Sequence, residues 1–444
     1  MKNILVLGAG RSATSLIKYL IIHSMANDWY LRIGDYDLNS AKEKSQNSSR
    51  AEAFQFDINH PEQCSIEVEK ADLVISMLPA AYHPMVARQC IKHGVHLLTA
   101  SYVSDEMRAL DQEARDKNVL LLNECGLDPG IDHMSAMRVI DRIRNEGHEL
   151  IGFESFTGGL LAPNKTEDNP WEYKFTWNPR NVVLAGQGIV KFIQEGTYKY
   201  IPYQRLFRRI EMVHIPGYGY FEGYANRDSL KYLDVYGLRG ISTIYRGTLR
   251  RPGFCRSWDI FVQLGATDDT YYMEGVDDMT HRAFINSFLS YNPHDSVELK
   301  LAHYMQLEIE GPEMHRLRWL GMFDDEPVGI TKGTPAQILE HILKKKWTLT
   351  ESDRDMIVMW HKFNYLDGEQ EHEIHSTMVA TGDDQVNTAM SKTVGLPLAM
   401  AAKHVLSGKI SLTGVQIPIR KEIYDPILDE LVEEGIELTE NKIA

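Results

Sequence analysis

The sequence is short of cysteine. Its 444 residues include four, Cys64, Cys90, Cys125 and Cys255, widely spaced and without a C-x-x-C pair. That spacing excludes a disulfide framework and a paired-thiol zinc site, and it suits a reducing compartment. Basic charge is also scarce. Lys and Arg number 47 against 62 Asp and Glu, a formal net charge of -15. Nucleic acid is therefore not expected as a partner, because its recognition needs a basic footprint. No apolar run nears the roughly 20 residues of a membrane-spanning helix, so no membrane partner is expected either. Repeats and low-complexity tracts are missing too. Met1 runs straight into a strand-like segment, with no charged leader and apolar stretch ahead of it. The expected location is the cytoplasm.

What is present is ordinary for a globular chain: 43% apolar and 25% charged residues. The length implies two or three domains. Ile4-Leu5-Val6-Leu7, Tyr30 to Ile33, Leu73 to Ile75, His96 to Leu98 and Val119 to Leu122 are short, mainly apolar runs. Strands of this kind suit a parallel sheet buried on both faces. Between the first two runs, Ala13, Leu16, Ile17, Leu20 and Ile21 fall on one helical face. The alternation predicts a Rossmann-type, doubly wound α/β domain over residues 1–130, closed by the breaker Gly126-Leu127-Asp128-Pro129-Gly130.

Glycines and aromatics then increase. An α+β substrate and dimerisation domain is expected over 131–277 and 371–390, with a strand at Trp258 to Leu264. A helical insertion is expected over 278–370, with helices at His281 to Leu289, Pro335 to Lys345 and Asp353 to Phe363. A return strand follows near Glu371 to Thr381, and a helix over Thr388 to Ser407. The tail, 391–444, is expected to pack back on the first domain.

Gly8-Ala9-Gly10-Arg11-Ser12-Ala13 fits G-x-G-x-x-A and joins the first strand to the first helix. Gly8 permits the tight turn. Gly10 lets a pyrophosphate approach the backbone, and Ala13 lets helix and strand pack closely. The helix amino end then faces the phosphates, with Arg11 and Ser12 beside it. Asp35 ends the second strand, where an acid is expected to bond the ribose of NAD and repel the extra phosphate of NADP. NAD is therefore the favoured cofactor, with NADP the alternative. Asp57 follows Phe54-Gln55-Phe56 and is placed either at the adenine edge or as a strand-end cap.

Several further strings resemble one family. They are Leu73-Val74-Ile75-Ser76-Met77-Leu78-Pro79, Thr99-Ala100-Ser101-Tyr102-Val103 and Asn123-Glu124-Cys125-Gly126-Leu127-Asp128-Pro129-Gly130-Ile131-Asp132-His133. Tyr173-Lys174-Phe175-Thr176-Trp177, Asn226-Arg227-Asp228-Ser229, Arg246-Gly247-Thr248-Leu249-Arg250 and Lys392-Thr393-Val394-Gly395-Leu396-Pro397 add to them. Together they resemble the saccharopine dehydrogenases, in particular the glutamate-forming kind. The resemblance implies reversible hydride removal from a secondary amine carbon of saccharopine, an amino-acid substrate, followed by imine hydrolysis to glutamate and 2-aminoadipate semialdehyde. It assigns Ser101, Tyr102, Asp128, Arg227, Thr248, Leu249 and Arg250 to the substrate, and Leu78 and Trp177 to the cofactor, with Lys174 in the same segment as Trp177. Thr157 stands where some relatives carry Cys, which puts a thiol role in doubt.

The chemistry agrees. Saccharopine carries three carboxylates, and the planar fork of Arg pairs with carboxylates bidentately. A base must strip the protonated amine before hydride leaves. Asp128 is the candidate base or ammonium anchor, and His133 a second proton-transfer candidate. His372 and His375 are spaced i and i+3, unlike the i and i+4 of a metalloprotease helix, so no metal is expected. Two alternatives remain open: a relative acting on another amino-acid-derived secondary amine, and a non-catalytic NAD-binding regulator. A homodimer is expected, built through the second domain's sheet.

Overall fold

The computed structural model describes residues 1–163 and 168–443. It divides into two compact units. One comprises Met1–Leu150, Tyr365–His372 and Met378–Ala444; the other comprises Ile151–Asn364 and Glu373–Thr377.

The first unit is built on strands β1 (Lys2–Leu7), β2 (Trp29–Asp35), β3 (Ala51–Gln55), β4 (Leu73–Ser76), β5 (His96–Thr99) and β6 (Leu120–Leu122). They lie in the order β3-β2-β1-β4-β5-β6, with Gly414–Gln416 beyond β6, and every pairing is parallel. Leu5, Val6, Leu73, Val74 and Ile75 are buried on both faces of this sheet, which is why their runs carry no polar alternation. The strand order reverses between β1 and β4, the crevice where such sheets bind ligands.

Helix α1 (Thr14–Asn27) follows the glycine turn. The helix Ala389–Leu406 lies directly on it. Ser15 N–H donates to Ser391 Oγ at 2.9 Å, and a Cβ on Gly395 would stand 2.8 Å from the Leu16 nitrogen. The helix Lys421–Glu433 is tied in by Glu430, which accepts from Tyr19 Oη and from Lys403 Nζ. The helix Ile131–Asn145 also belongs to this unit, so the first body ends near 150 rather than 130. Its Asp141 accepts from Tyr424 Oη at 2.7 Å, a partner 283 residues away that sequence periodicity does not reveal.

A second sheet is built on β7 (Glu149–Leu161), β8 (Ile189–Gln194), β9 (Thr197–Pro202), β10 (Ile210–Ile215), β11 (Gly219–Ala225), β12 (Thr243–Arg250), β13 (Asp355–Asp367) and β14 (Gln370–Thr381); the second unit holds β8 to β12 whole, β7 from Ile151, β13 as far as Asn364 and Glu373–Thr377 of β14. The order is β10-β11-β12-β7-β13-β14, and β8 pairs β12 and β9. Two elements differ from the expectation. The stretch around Trp258 to Leu264 is a helix, Phe254–Leu264, flanked by Gly253 and Gly265 at φ +87° and +82°. Phe254, Trp258 and Phe261 fall at i, i+4 and i+7, and all are buried; aromatic enrichment mimicked a strand. Conversely, Asp353 to Phe363 contains most of β13 rather than a helix. Met356 to Met359 are buried without a break, and a two-sided buried strand loses its period of two. The residues 278–364 form helices His281–Asn286, Val297–Met305, Pro312–Trp319 and Pro335–Trp347 within the second unit, not a separate body. Thr334 and Gln337 close the last of these with reciprocal bonds, a capping box.

All four cysteines are buried and free. Among the described residues no helix is long and apolar enough to cross a membrane.

Candidate active site

The glycine turn has the geometry a dinucleotide needs. Gly8 adopts φ +99°, and a Cβ there would meet the Met77 carbonyl oxygen at 2.9 Å. Only glycine fits that approach between β1 and the end of β4. At Gly10 a Cβ would meet nothing within 4 Å. Protein packing does not demand glycine there, whereas close approach of a diphosphate does. Ala13 is 1% exposed and donates its N–H to Gly10 O at 3.0 Å. Arg11 is exposed and Ser12 half-buried, while Leu78 packs against the sheet core.

The two acids beyond the turn are engaged by backbone. Asp35 accepts from Ala9 N–H at 2.6 Å and from Asp37 N–H at 2.8 Å, one on each carboxylate oxygen. It thus ties the glycine turn to the end of β2. Asp57 accepts from the Asn59 backbone and side chain, each at 2.9 Å, the geometry of an Asx turn. That is the capping reading of Asp57.

At the carboxyl edge of β5 and β6, Tyr102 Oη donates to Asp128 Oδ1 at 3.1 Å. Two candidates 26 residues apart in sequence therefore meet. The loop carrying Asp128 is tight enough that a Cβ on Gly130 would run into the Gly126 carbonyl. His133 is wholly buried. Its Nε2 lies 2.8 Å from Glu124 Oε2, and Glu124 Oε1 accepts from Val103 N–H at 3.0 Å. The pair buttresses the loops after β5 and β6 from behind.

Sequence reasoning missed His83. This side chain, 3% exposed, lies 2.9 Å from Ser76 Oγ, 2.7 Å from Ser101 Oγ and 3.1 Å from Thr99 Oγ1. Burial pushes its pKa down to about 4. A single histidine beside a proline at a helix start gave no motif to follow.

In the second unit, β12 carries Thr248, Leu249 and Arg250. Arg250 is buried. Its guanidinium carbon lies 5.0 Å from the Tyr173 ring centre, 5.3 Å from Phe254 and 6.0 Å from Tyr224. One nitrogen donates to Leu249 O at 2.9 Å, and Nε has no hydrogen-bond partner among the described residues. The buried Tyr173 hydroxyl likewise has none, and burial holds its pKa up at about 12. Leu249 is buried, and Thr248 stands opposite Thr157 across the β12–β7 ladder.

Arg227 adopts φ +55°, a left-handed conformation uncommon outside glycine. Its carbonyl accepts from Lys191 N–H at 3.1 Å, and neighbouring Asp228 faces Lys191 Nζ at 3.5 Å. Arg246 stacks on Tyr232 at 4.1 Å. Lys174 turns inward to Asp353 at 2.8 Å, both side chains buried. Trp177 is half-buried at the end of that segment. His375 pairs with Glu373 at 2.8 Å. No cluster of three or more His, Cys, Asp or Glu residues fit for a metal occurs among the described residues.

Comparison with known proteins completes the picture. Residues 4–122 match the saccharopine dehydrogenase NADP binding domain, and residues 126–436 match the saccharopine dehydrogenase C-terminal domain. The chain belongs to the saccharopine dehydrogenase family. Its homologues are oxidoreductases acting on CH–NH donors. It is 32% identical to the saccharopine dehydrogenase [NADP(+), L-glutamate-forming] of Pyricularia oryzae, over 100% of this chain and 99% of that one. It is 33% identical to the mitochondrial alpha-aminoadipic semialdehyde synthase of Rattus norvegicus, over 98% of this chain and 47% of the relative. The chain thus spans about half the length of the mammalian relatives it matches. The apo saccharopine dehydrogenase (L-Glu forming) structure from Saccharomyces cerevisiae superposes over 100% of both chains, with TM-score 0.90 and 30% identity. A homospermidine synthase from Legionella pneumophila, at TM-score 0.56 and 11% identity, shares the fold.

These findings overturn the preference for NAD. The matching domain is NADP-binding, and the fungal relatives are NADP(+) enzymes. The expectation of NAD takes Asp35 as a free carboxylate directed at the ribose. In the structure each of its oxygens already accepts a backbone N–H, so an acid at this position is explained by the turn it braces.

Proposed function

We propose that this protein catalyses the reversible oxidation of saccharopine by NADP(+) and water to L-glutamate and 2-aminoadipate 6-semialdehyde. Arg250 carries the proposal: a buried guanidinium, ringed by aromatics, with no carboxylate partner among the described residues. Burying a charge without its counter-ion is costly. A carboxylated substrate supplies that counter-ion in the geometry Arg prefers. A polyamine substrate would call for acids and aromatics instead, so Arg250 disfavours that reading.

In this reading Gly8, Gly10, Arg11, Ser12 and Ala13 would hold the dinucleotide diphosphate, and Leu78 and Trp177 are further cofactor contacts that the family resemblance implies. A nicotinamide held there would supply the hydride acceptor. Arg250, Thr248, Leu249 and Arg227 hold substrate carboxylates. Asp128, steadied by Tyr102, anchors the substrate ammonium and takes its proton, so that the nitrogen lone pair can drive hydride from the adjacent carbon. Water then adds to the imine carbon, and the carbon–nitrogen bond breaks to free glutamate. His133 is assigned no proton transfer, because it is buried against Glu124. We place the enzyme in the cytoplasm as a homodimer; exposed Ile189, Tyr198 and Tyr200 on the β8–β9 hairpin are apolar surface such a dimer would cover.

The test is the change in absorbance at 340 nm. Saccharopine with NADP(+) should raise it, and glutamate plus the semialdehyde with NADPH should lower it. A flat trace in both directions would sink the proposal. Light scattering on the purified chain tests the dimer.

A further inference from the structure

Two tyrosines with buried rings lie beside Arg250, and their hydroxyls differ. The Tyr224 hydroxyl has the Thr248 side chain as a hydrogen-bond partner. The Tyr173 hydroxyl has none among the described residues. Its ring is wedged between aromatics, with Trp347 at 4.8 Å, Phe254 at 5.3 Å and Phe175 at 6.2 Å between ring centres. The main chain holds it as well. Glu172 just before it adopts φ +47°, and Tyr173 O accepts from Asn169 Nδ2 at 3.2 Å. Burying a hydroxyl without a partner is costly. Burial also keeps this one protonated, with its pKa up at about 12, so it is a donor that lacks an acceptor. A second donor in the same state lies beside it. The guanidinium carbon of Arg250 is 5.0 Å from the Tyr173 ring centre, and its buried Nε has no partner either among the described residues. Both residues belong to the second compact unit.

We propose that Tyr173 is a further substrate-binding residue, whose hydroxyl donates to the same substrate carboxylate as Arg250 Nε. An ionised carboxylate only accepts, and its two oxygens take donors from several directions. It also brings the negative charge that a buried guanidinium needs. Tyr173 lies the deeper of the two, 1% exposed against 5% for Arg250. The pair selects an ionised acid: a carboxamide in the same place would set its own N–H groups against these donors. The inference rests on the reading that Arg250 meets a carboxylate of saccharopine.

Tyr173→Phe tests it, because the variant removes the hydroxyl and keeps the ring. Its KM for saccharopine should rise about tenfold, while kcat and NADPH affinity, read by fluorescence, stay at the wild-type values. Without ligand the variant should melt at the wild-type temperature or above it, since an unpartnered hydroxyl contributes nothing to the fold. In the reverse direction the KM rise should fall on glutamate or on the semialdehyde, not on both. It should fall on the same one that Arg250→Lys affects. A KM for saccharopine within about twofold of wild type, less than one lost hydrogen bond produces, overturns the proposal. A lower Tm also overturns it, by showing a structural partner such as a buried water. So does a KM rise on both amino acids, or on the one that Arg250→Lys spares. Wild-type protein inert towards saccharopine sinks the activity reading and this proposal with it, whereas active protein with an unmoved KM in Tyr173→Phe sinks this proposal alone.

Discussion

The guanidinium of Arg250 lies over the ring of Tyr173, 5.0 Å from its centre, and the two side chains share a buried site. Arg250 Nε and Tyr173 Oη each lack a hydrogen-bond partner among the described residues. Buried polar groups in folded proteins are nearly always paired. Cation–π contact with Tyr173, Phe254 and Tyr224 holds the guanidinium, and one terminal nitrogen donates to Leu249 O, which leaves Nε for a carboxylate.

Arg250→Lys keeps the charge and loses the fork. A hydrogen bond to a charged group contributes about 1.5–3 kcal/mol, so kcat/KM for saccharopine should fall roughly tenfold to a hundredfold. The loss should appear mainly in KM. NADPH affinity, read by fluorescence, should be unchanged and serves as the check on folding. An unchanged KM would remove Arg250 from the substrate site.

Asp128→Asn should lower kcat by about a hundredfold, the scale of one acid–base group, and should abolish the acid limb of the kcat/KM profile. Tyr102→Phe gives a second readout. The Tyr102 hydroxyl donates to Asp128 at 3.1 Å, and donation to a carboxylate favours its ionised form. Removing that donor raises the pKa of the base, so the acid limb should move to higher pH while activity at its plateau persists. A limb that stays put in both variants would show that another group titrates there.

The parallel sheet was legible because β1, β4, β5 and β6 are buried on both faces, and such strands read as unbroken apolar runs. The same property hid β13, whose buried Met356 to Met359 passed for part of a helix. Aromatic spacing misled in the other direction at Phe254–Leu264. Asp35 was visible as an acid at the right place, but its two N–H donors belong to backbone that only the folded turn brings near. His83 meets Ser101 across 18 residues and Thr99 across 16, and the aromatic ring around Arg250 gathers residues 173, 224 and 254. The partners of these side chains depend on topology, which one sequence does not display.

Gly395 sets how closely the helix Ala389–Leu406 approaches α1. A Cβ there would lie 2.8 Å from the Leu16 nitrogen and 3.1 Å from Leu16 Cβ. Helix propensity favours alanine over glycine by about 1 kcal/mol, whereas overpacking typically costs about 1–3 kcal/mol. Tm should therefore fall in the order Gly395, Gly395→Ala, Gly395→Val. NADPH affinity should fall with it, since α1 begins just after the glycine turn. A Gly395→Ala protein as stable as the wild type would show that the two helices separate freely.

Glu154 makes the stability of the fold depend on pH. Burial raises its pKa from 4.5 to about 7, against the opposing pull of Lys362 at 3.6 Å. The unfolded chain releases this proton near pH 4.5 and the folded chain keeps it until near pH 7. Between those values the folded state binds more protons, so stability falls as pH rises through the window and levels off above it. Every pH unit that separates the two pKa values corresponds to about 1.4 kcal/mol, enough to see in a melt. Glu154→Gln removes the titrating proton and leaves Lys362 beside Glu373 at 3.4 Å. The variant should match the wild type at pH 5 and melt at a higher temperature at pH 8. A lower Tm at pH 8 would mean that the ionised Glu154–Lys362 pair outweighs the burial of its charge.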